Sequence, residues 1–150
     1  MKTQINFYYK VDGIEKIADT YKEWLLEVAQ HYDHSISELN YTFMSDEDLL
    51  QINIDHLGHD FYTDIITFDN TIGNVISADI AISYDRLLDN INTFNQSYQA
   101  ELKRTMVHGV LHCLGFNDST PEEKHHMRSL ENEMINMFHV KHIKPSLDVQ

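Results

Sequence analysis

An α+β fold is predicted for this chain: a small mixed β-sheet of about four strands flanked by about five helices, with a metal site on a central helix. Three observations carry that prediction. Segments in which apolar and polar residues alternate, the signature of a half-buried strand, are interleaved with segments whose apolar residues recur every three or four positions, the signature of an amphipathic helix. Several serine or threonine residues stand where a helix would begin, just ahead of apolar-periodic runs. The run HGVLHCLGFND, His108 to Asp118, then places metal-ligating side chains on one such helix.

Each element follows in order along the chain. Ile5, Phe7 and Tyr9 alternate with polar residues and predict a strand. From Ile14 to His31 the apolar positions Ile17, Tyr21, Trp24, Leu25 and Val28 predict a helix. Ile36 to Met44 reads as a second strand. Ser45 with Asp48 resembles a capping box and opens a helix through about Asp55. Ile65–Phe68 and Val75–Ser83 are two further strands around the turn-rich segment 69–74. Ser83 caps a helix running to about Asn95, and Ser97 opens the helix that carries the motif. Thr120, Pro121 and Glu123 supply a cap, a first-turn proline and a box glutamate for a last helix, lined on one side by Met127, Leu130, Met134 and Met137. The expected organisation is one domain over 1–139 and a polar tail over 140–150.

Composition agrees with a packed globule. The chain has 150 residues, 42% of them hydrophobic and 11% aromatic, enough for a single core and too apolar for disorder. The single cysteine, Cys113, has no partner for an internal disulfide, which favours a reducing compartment. On the helix it points about 100° away from its neighbour His112, toward core packing rather than ligation. No apolar run approaches the roughly 20 residues of a membrane span, and the N-terminus lacks the apolar stretch of a secretory signal. A cytoplasmic protein with no membrane association is expected.

The chemistry lies in the motif. Residues i and i+4 of a helix share a face, so His108 and His112 can converge on one atom. Gly115 stands where the helix must stop and reverse, a turn that needs positive φ and suits glycine. That reversal can return Asp118 to the same point. Three N/O ligands with one position left open is the donor set of a catalytic zinc site, so the expected cofactor is one Zn²⁺ per chain on His108, His112 and Asp118. Zinc peptidases place a glutamate directly after the first histidine as general base. Here that position is Gly109, which argues against peptide hydrolysis.

The segment VHGVLHCLGFND, Val107 to Asp118, closely resembles the signature of the YbeY family of rRNA-maturation endoribonucleases. The likeness extends upstream through Leu39–Asp69, where the family has a strand, helix and loop leading to a TDVLSF-type strand. It continues through Gly73–Ser83, similar to the family's LGDIxIS strand, and Thr120–Met134, similar to its closing helix. Some positions differ: Asp118 stands at the family's third histidine, Asn117 before it where the family often has aspartate, Leu57 at an arginine connected with RNA chemistry, and Tyr62 at a proline. The resemblance implies a single-strand-specific, metal-dependent endoribonuclease acting in 16S rRNA 3′-end maturation and ribosome quality control. Its partners would be single-stranded rRNA, the small ribosomal subunit and ribosome-associated proteins. A metal-polarised water would be the nucleophile, with Thr67 (serine in the family) and the Gly73–Ser83 strand lining the cleft. Arg104, Lys103 or Arg86 are the candidates to replace the guanidinium missing at Leu57.

Charge sets a condition on that function. With 11 Lys and Arg against 24 Asp and Glu the net charge is −13, whereas nucleic-acid binders usually carry a basic footprint. The basic pair nearest the motif is Lys103 and Arg104. Weak affinity for naked RNA is therefore expected, with specificity delivered by the ribosome or a partner protein. Two rival readings remain: a non-catalytic, zinc-containing ribosome assembly factor, and a metal hydrolase of a small molecule or peptide. His56 and His59 are expected to face solvent. His125 and His126 are alternative third ligands, and His139 and His142 belong to the polar tail.

Overall fold

The computed structural model describes residues 2–142. Its four strands are β1 (Gln4–Tyr9), β2 (Ser35–Met44), β3 (Ile65–Asp69) and β4 (Val75–Ser83). They form one sheet in the order β1-β2-β4-β3. β1, β2 and β4 run parallel, and β3 closes the edge antiparallel to β4. The helices are α1 (Asp19–His31), α2 (Asp46–Ile52), α3 (Tyr84–Thr93), α4 (Tyr98–Cys113) and α5 (Pro121–His142). The mixed sheet with five helices is the α+β architecture expected.

Period-two alternation sorts the two faces of the sheet. Leu39, Tyr41 and Phe43 of β2 and Ile76, Ala78, Ile80 and Ile82 of β4 point to one face, where they meet Trp24, Leu25 and Val28 of α1, Met106, Val107 and Val110 of α4, and Met134 and Phe138 of α5. Two buried hydrogen bonds tie this layer together: Trp24 Nε1 donates to the Met134 carbonyl and the Tyr41 hydroxyl to the Met106 carbonyl, each at 2.8 Å. The opposite face is half polar. Asn6, Asn40 and Asp79 form a side-chain ladder across three strands, and α2 covers only the end near Leu49, Met44, Ile66 and Ala81.

The helix starts follow the cap residues. Ser45, Ser83 and Ser97 each accept a hydrogen bond from the backbone N–H three residues on. At α5 the capping box is complete: Glu123 N donates to Thr120 Oγ1, and Glu123 Oε1 accepts from the N–H groups of Ser119 and Thr120.

Four boundaries differ from expectation. α1 begins at Asp19 rather than Ile14, because Ile17 donates its N–H to the Tyr9 hydroxyl and Ala18 is extended. Ile17 is buried from a loop, which counterfeits helical spacing. The helix after Ser45 ends at Ile52 and continues as a π-helical turn, Asn53–Leu57, closed by Gly58 at φ +69°. α3 ends at Thr93, with Asn95 in the left-handed region. At the other end of the chain α5 continues through His142, and the rest of the expected polar tail, 143–150, lies outside the described residues. No helix among the described residues is long and apolar enough to cross a membrane.

Candidate metal centre

α4 is the central helix. It packs on α5, α3, α1 and the β3–β4 edge of the sheet, and nearly every residue from Glu101 to Cys113 is buried. Its close approach to the sheet is made at Gly109, where a Cβ would stand 2.6 Å from Ile80 Cδ1 and 3.3 Å from Thr67 Oγ1. The glutamate that a zinc peptidase carries at this position has no room here. The helix ends in a Schellman motif: Phe116 N donates to the Leu111 carbonyl and Gly115 N to the His112 carbonyl, with Gly115 at φ +100°. That turn reverses the chain and returns Asp118 to the helix face.

The result is a cluster of His108, His112 and Asp118, each half-buried, with one ligand atom apiece lying within 4.8 Å of the other two. His108 Nε2 lies 3.2 Å from Asp118 Oδ2, and His112 Nε2 lies 3.5 Å from Asp118 Oδ1. Donors about 2.0–2.1 Å from a tetrahedral zinc stand about 3.4 Å apart, so the spacing and the donor types both fit such an ion. His125 and His126 stand outside the cluster; both are exposed, and His126 packs edge-on against Phe116.

The imidazoles are held differently. His108 Nδ1 is 2.6 Å from Glu131 Oε2 on α5, and Glu131 Oε1 accepts from Arg104 Nη1 at 3.0 Å. Arg104 Nη2 donates to Asn132 Oδ1 at 2.8 Å. This Arg104–Glu131–His108 chain is buried and fixes the His108 ring with Nε2 facing the cluster, the arrangement in which a ligating histidine gives its other N–H to a carboxylate. Burial alone depresses the His108 pKa, but the Glu131 bond and the charges of Glu131, Asp118 and Asp64 outweigh it, and the net shift is upward. His112 has only a backbone hydrogen bond to Phe116; burial and the nearby His108 charge lower its pKa. Burial pushes the Cys113 thiol up to about 12, so it stays protonated in the core, as expected.

Two cavities meet at the cluster and share Asp64, Ile65, His108 and Asp118. One, of about 440 Å³, is walled by Thr63, Asp64, Thr67 and Asp69. Thr67 therefore lines the cleft; the wall is β3 rather than the Gly73–Ser83 strand, which lies behind with Ile80 under Gly109. The other, of about 550 Å³, runs between α4 and the first turns of α5. Arg104 lines it, but two of its nitrogens are occupied by Glu131 and Asn132. Lys103 faces elsewhere, buried with its ammonium 4.4 Å from the Phe138 ring centre. Arg86 lies over Tyr62 and pairs with Asp46. Leu57 is exposed on the π-helical turn, and His56 and His59 are exposed beside it against Phe68 and Phe61.

Two residues of the site escaped the sequence reading. Glu131 interrupts the buried stripe Met127–Met134 of α5, and a carboxylate on a core stripe is a signal for a buried partner. Asp64, at the junction of both cavities, carries no such signal; burial raises its pKa against the opposing charge of His108.

Known proteins place this arrangement. Residues 4–139 match the family model described as Endoribonuclease YbeY. Similar proteins include the Endoribonuclease YbeY of Christiangramia forsetii, 41% identical over 93% of this chain and 98% of its own length. That of Flavobacterium johnsoniae is 43% identical over 91% and 99%. The solution structure of TM1509 from Thermotoga maritima has the same fold, with a TM-score of 0.62 at 21% identity over 97% of this chain and 99% of its own. A match spanning nearly every element, with the His108–Asp118 turn inside it, means that this chain belongs to the YbeY family of endoribonucleases.

Proposed function

We propose that the chain is a single-strand-specific endoribonuclease that holds one Zn²⁺ on His108, His112 and Asp118, and that it acts in 16S rRNA 3′-end maturation and ribosome quality control. The observation carrying this reading is the convergence of the three side chains at the meeting point of two cavities, in a chain of an endoribonuclease family. When bound, the ion would supply Lewis acidity toward a phosphodiester oxygen and would acidify a water molecule.

The chain's own residues do the rest. Glu131 accepts a hydrogen bond from His108 Nδ1–H and so holds the tautomer in which Nε2 is free to ligate. Arg104 holds Glu131 in place from below. Thr67 offers a hydroxyl to a phosphate oxygen from the β3 wall. Each cavity is of a size for one nucleotide, which favours a strand whose bases are unpaired. The small ribosomal subunit, and proteins bound to it, would present that strand, because a chain of net charge −13 attracts free RNA poorly. This work belongs in the cytoplasm.

The test uses tag-free protein, comparing wild type with His112→Ala and Asp118→Ala. Expected are about one zinc per wild-type chain, lost in both variants, and zinc-dependent cleavage of a single strand but not of the same sequence in a duplex. Zinc binding without cleavage would favour the assembly-factor reading, to which the uncharged, exposed Leu57 already lends weight. Peptide turnover dependent on His108 would favour the other rival.

A further inference from the structure

The motif face of α4 does not end at His108. One and two turns earlier, at helical spacings of three and four, come Thr105, Arg104 and Glu101, all polar and all buried. Burying polar groups on a core helix is costly unless they find partners. Arg104 finds Glu131 and Asn132, and Thr105 the Glu101 carbonyl; Glu101 Oε1 and Arg104 Nε, both out of reach of solvent, have no partner among the described residues. Glu101 is 4% exposed and Arg104 8%, and both line the 550 Å³ cavity beside the metal centre.

The rim of that cavity has a different character. Phe94, at the end of α3, is half exposed, with the Arg128 guanidinium 5.6 Å from its ring centre. Lys124 stands on the same wall, one turn before Arg128 on α5. Neither cation is in an ion pair within 4 Å among the described residues, unlike Arg86 and Arg104. A flat aromatic surface and two cations outside any ion pair are elements that hold a nucleotide: a face to stack on and charge for phosphate.

We infer that this cavity is a nucleotide subsite of the RNA strand, adjoining the scissile phosphodiester. The base stacks on Phe94, and the neighbouring backbone phosphates lie against Lys124 and Arg128. The inference rests on the endoribonuclease reading and gives its substrate a direction: the strand crosses the cluster from the α5 side. It also locates a basic footprint in an acidic chain.

The test is cleavage and binding of a mixed-sequence single-stranded RNA oligonucleotide by the full chain. Phe94→Ala should raise KM about tenfold, more than it lowers kcat, as loss of one stacked base does. Lys124→Gln with Arg128→Gln should flatten the dependence of log affinity on log salt by about 1.4, the value for two contacts to a single strand. The same charge change at the distant, exposed Lys10 and Lys16 should leave that slope unaltered. If wild type cleaves RNA while KM and slope are unmoved in the variants, the subsite is overturned and the enzyme reading stands. If wild type neither binds nor cleaves RNA, both fall. Photocrosslinking of wild type to RNA carrying 4-thiouridine removes any dependence on variant folding: an adduct on the peptide containing Phe94 is expected, and adducts confined to other peptides overturn the proposal.

Discussion

The two sides of the His108–His112–Asp118 cluster are built on different principles. On the α5 side, the buried charges are matched, Arg104 with Glu131 and Glu131 with His108, while Lys124 and Arg128 line the cavity outside any ion pair of the described residues. On the β3 side, Asp64 and Asp69 line the wall with two threonines and no cation, and α4 is held by close packing at Gly109 rather than by ion pairs. One side orients a ligand through buried electrostatics; the other sets its position through shape. A polyanion should therefore meet the α5 side first, and damage to the two sides should differ in kind as well as in size.

The largest effect is expected at Glu131. Glu131→Ala leaves the Arg104 guanidinium buried without its carboxylate and His108 without its Nδ1 partner. Breaking a buried pair from one side costs about 3–5 kcal/mol, and loss of such a carboxylate lowers metal affinity about 10–100-fold. Chemical denaturation and zinc titration of the variant measure the two losses separately. A variant as stable as wild type that still bound zinc equally well would remove the distinction between the two sides.

The next effect separates the two histidines. In the metal-free protein the folded pKa of His108 is raised above its ordinary 6.5. Its protonated form therefore stabilises the fold fully below about pH 6.5, and that contribution is lost as pH rises through the folded value. His112, with a lowered pKa, acts oppositely: its protonation opposes folding as pH falls below 6.5. A metal needs both Nε2 atoms bare, so it competes with the His108 proton first. Zinc affinity should drop by about tenfold for each pH unit below the folded pKa of His108. A competition titration with a chelating dye between about pH 6 and 8 would register this. Glu131→Gln, which removes the carboxylate charge, should shift the onset to lower pH; an unshifted onset would mean that Glu131 does not set the His108 proton.

How much of this was legible in the sequence follows the same division. The β-side geometry was local: His108, His112, Gly115 and Asp118 lie within one helix end and one turn, and φ-permissive glycine with i, i+4 spacing encodes the convergence directly. The strands were equally local, since alternation reports which face is buried. The α5 side was not. Glu131 is 23 residues from His108 along the chain, and only the packing of α5 against α4 brings them together. Arg104 was visible as a charge but not as a residue already held by Glu131. Ile17 misled for the converse reason: its burial is tertiary, while its spacing to Tyr21 imitates a helix that the Tyr9 hydrogen bond prevents.

The smallest expected effect tests the shape side. Gly109→Ala gains about 1 kcal/mol of helix propensity but puts a methyl group 2.6 Å from Ile80 Cδ1, in a site where overpacking costs about 1–3 kcal/mol. A net loss of about 1 kcal/mol follows, read as a small fall in Tm. The neighbour that must give is the flexible end of a buried isoleucine, so Gly109→Ala with Ile80→Val should recover part of the loss. Zinc affinity should move little in the single variant, because the charge network that orients His108 lies on the opposite side of the helix contact. A large loss of metal with little loss of stability would invert the comparison and make close packing, rather than Glu131, the device that aims His108.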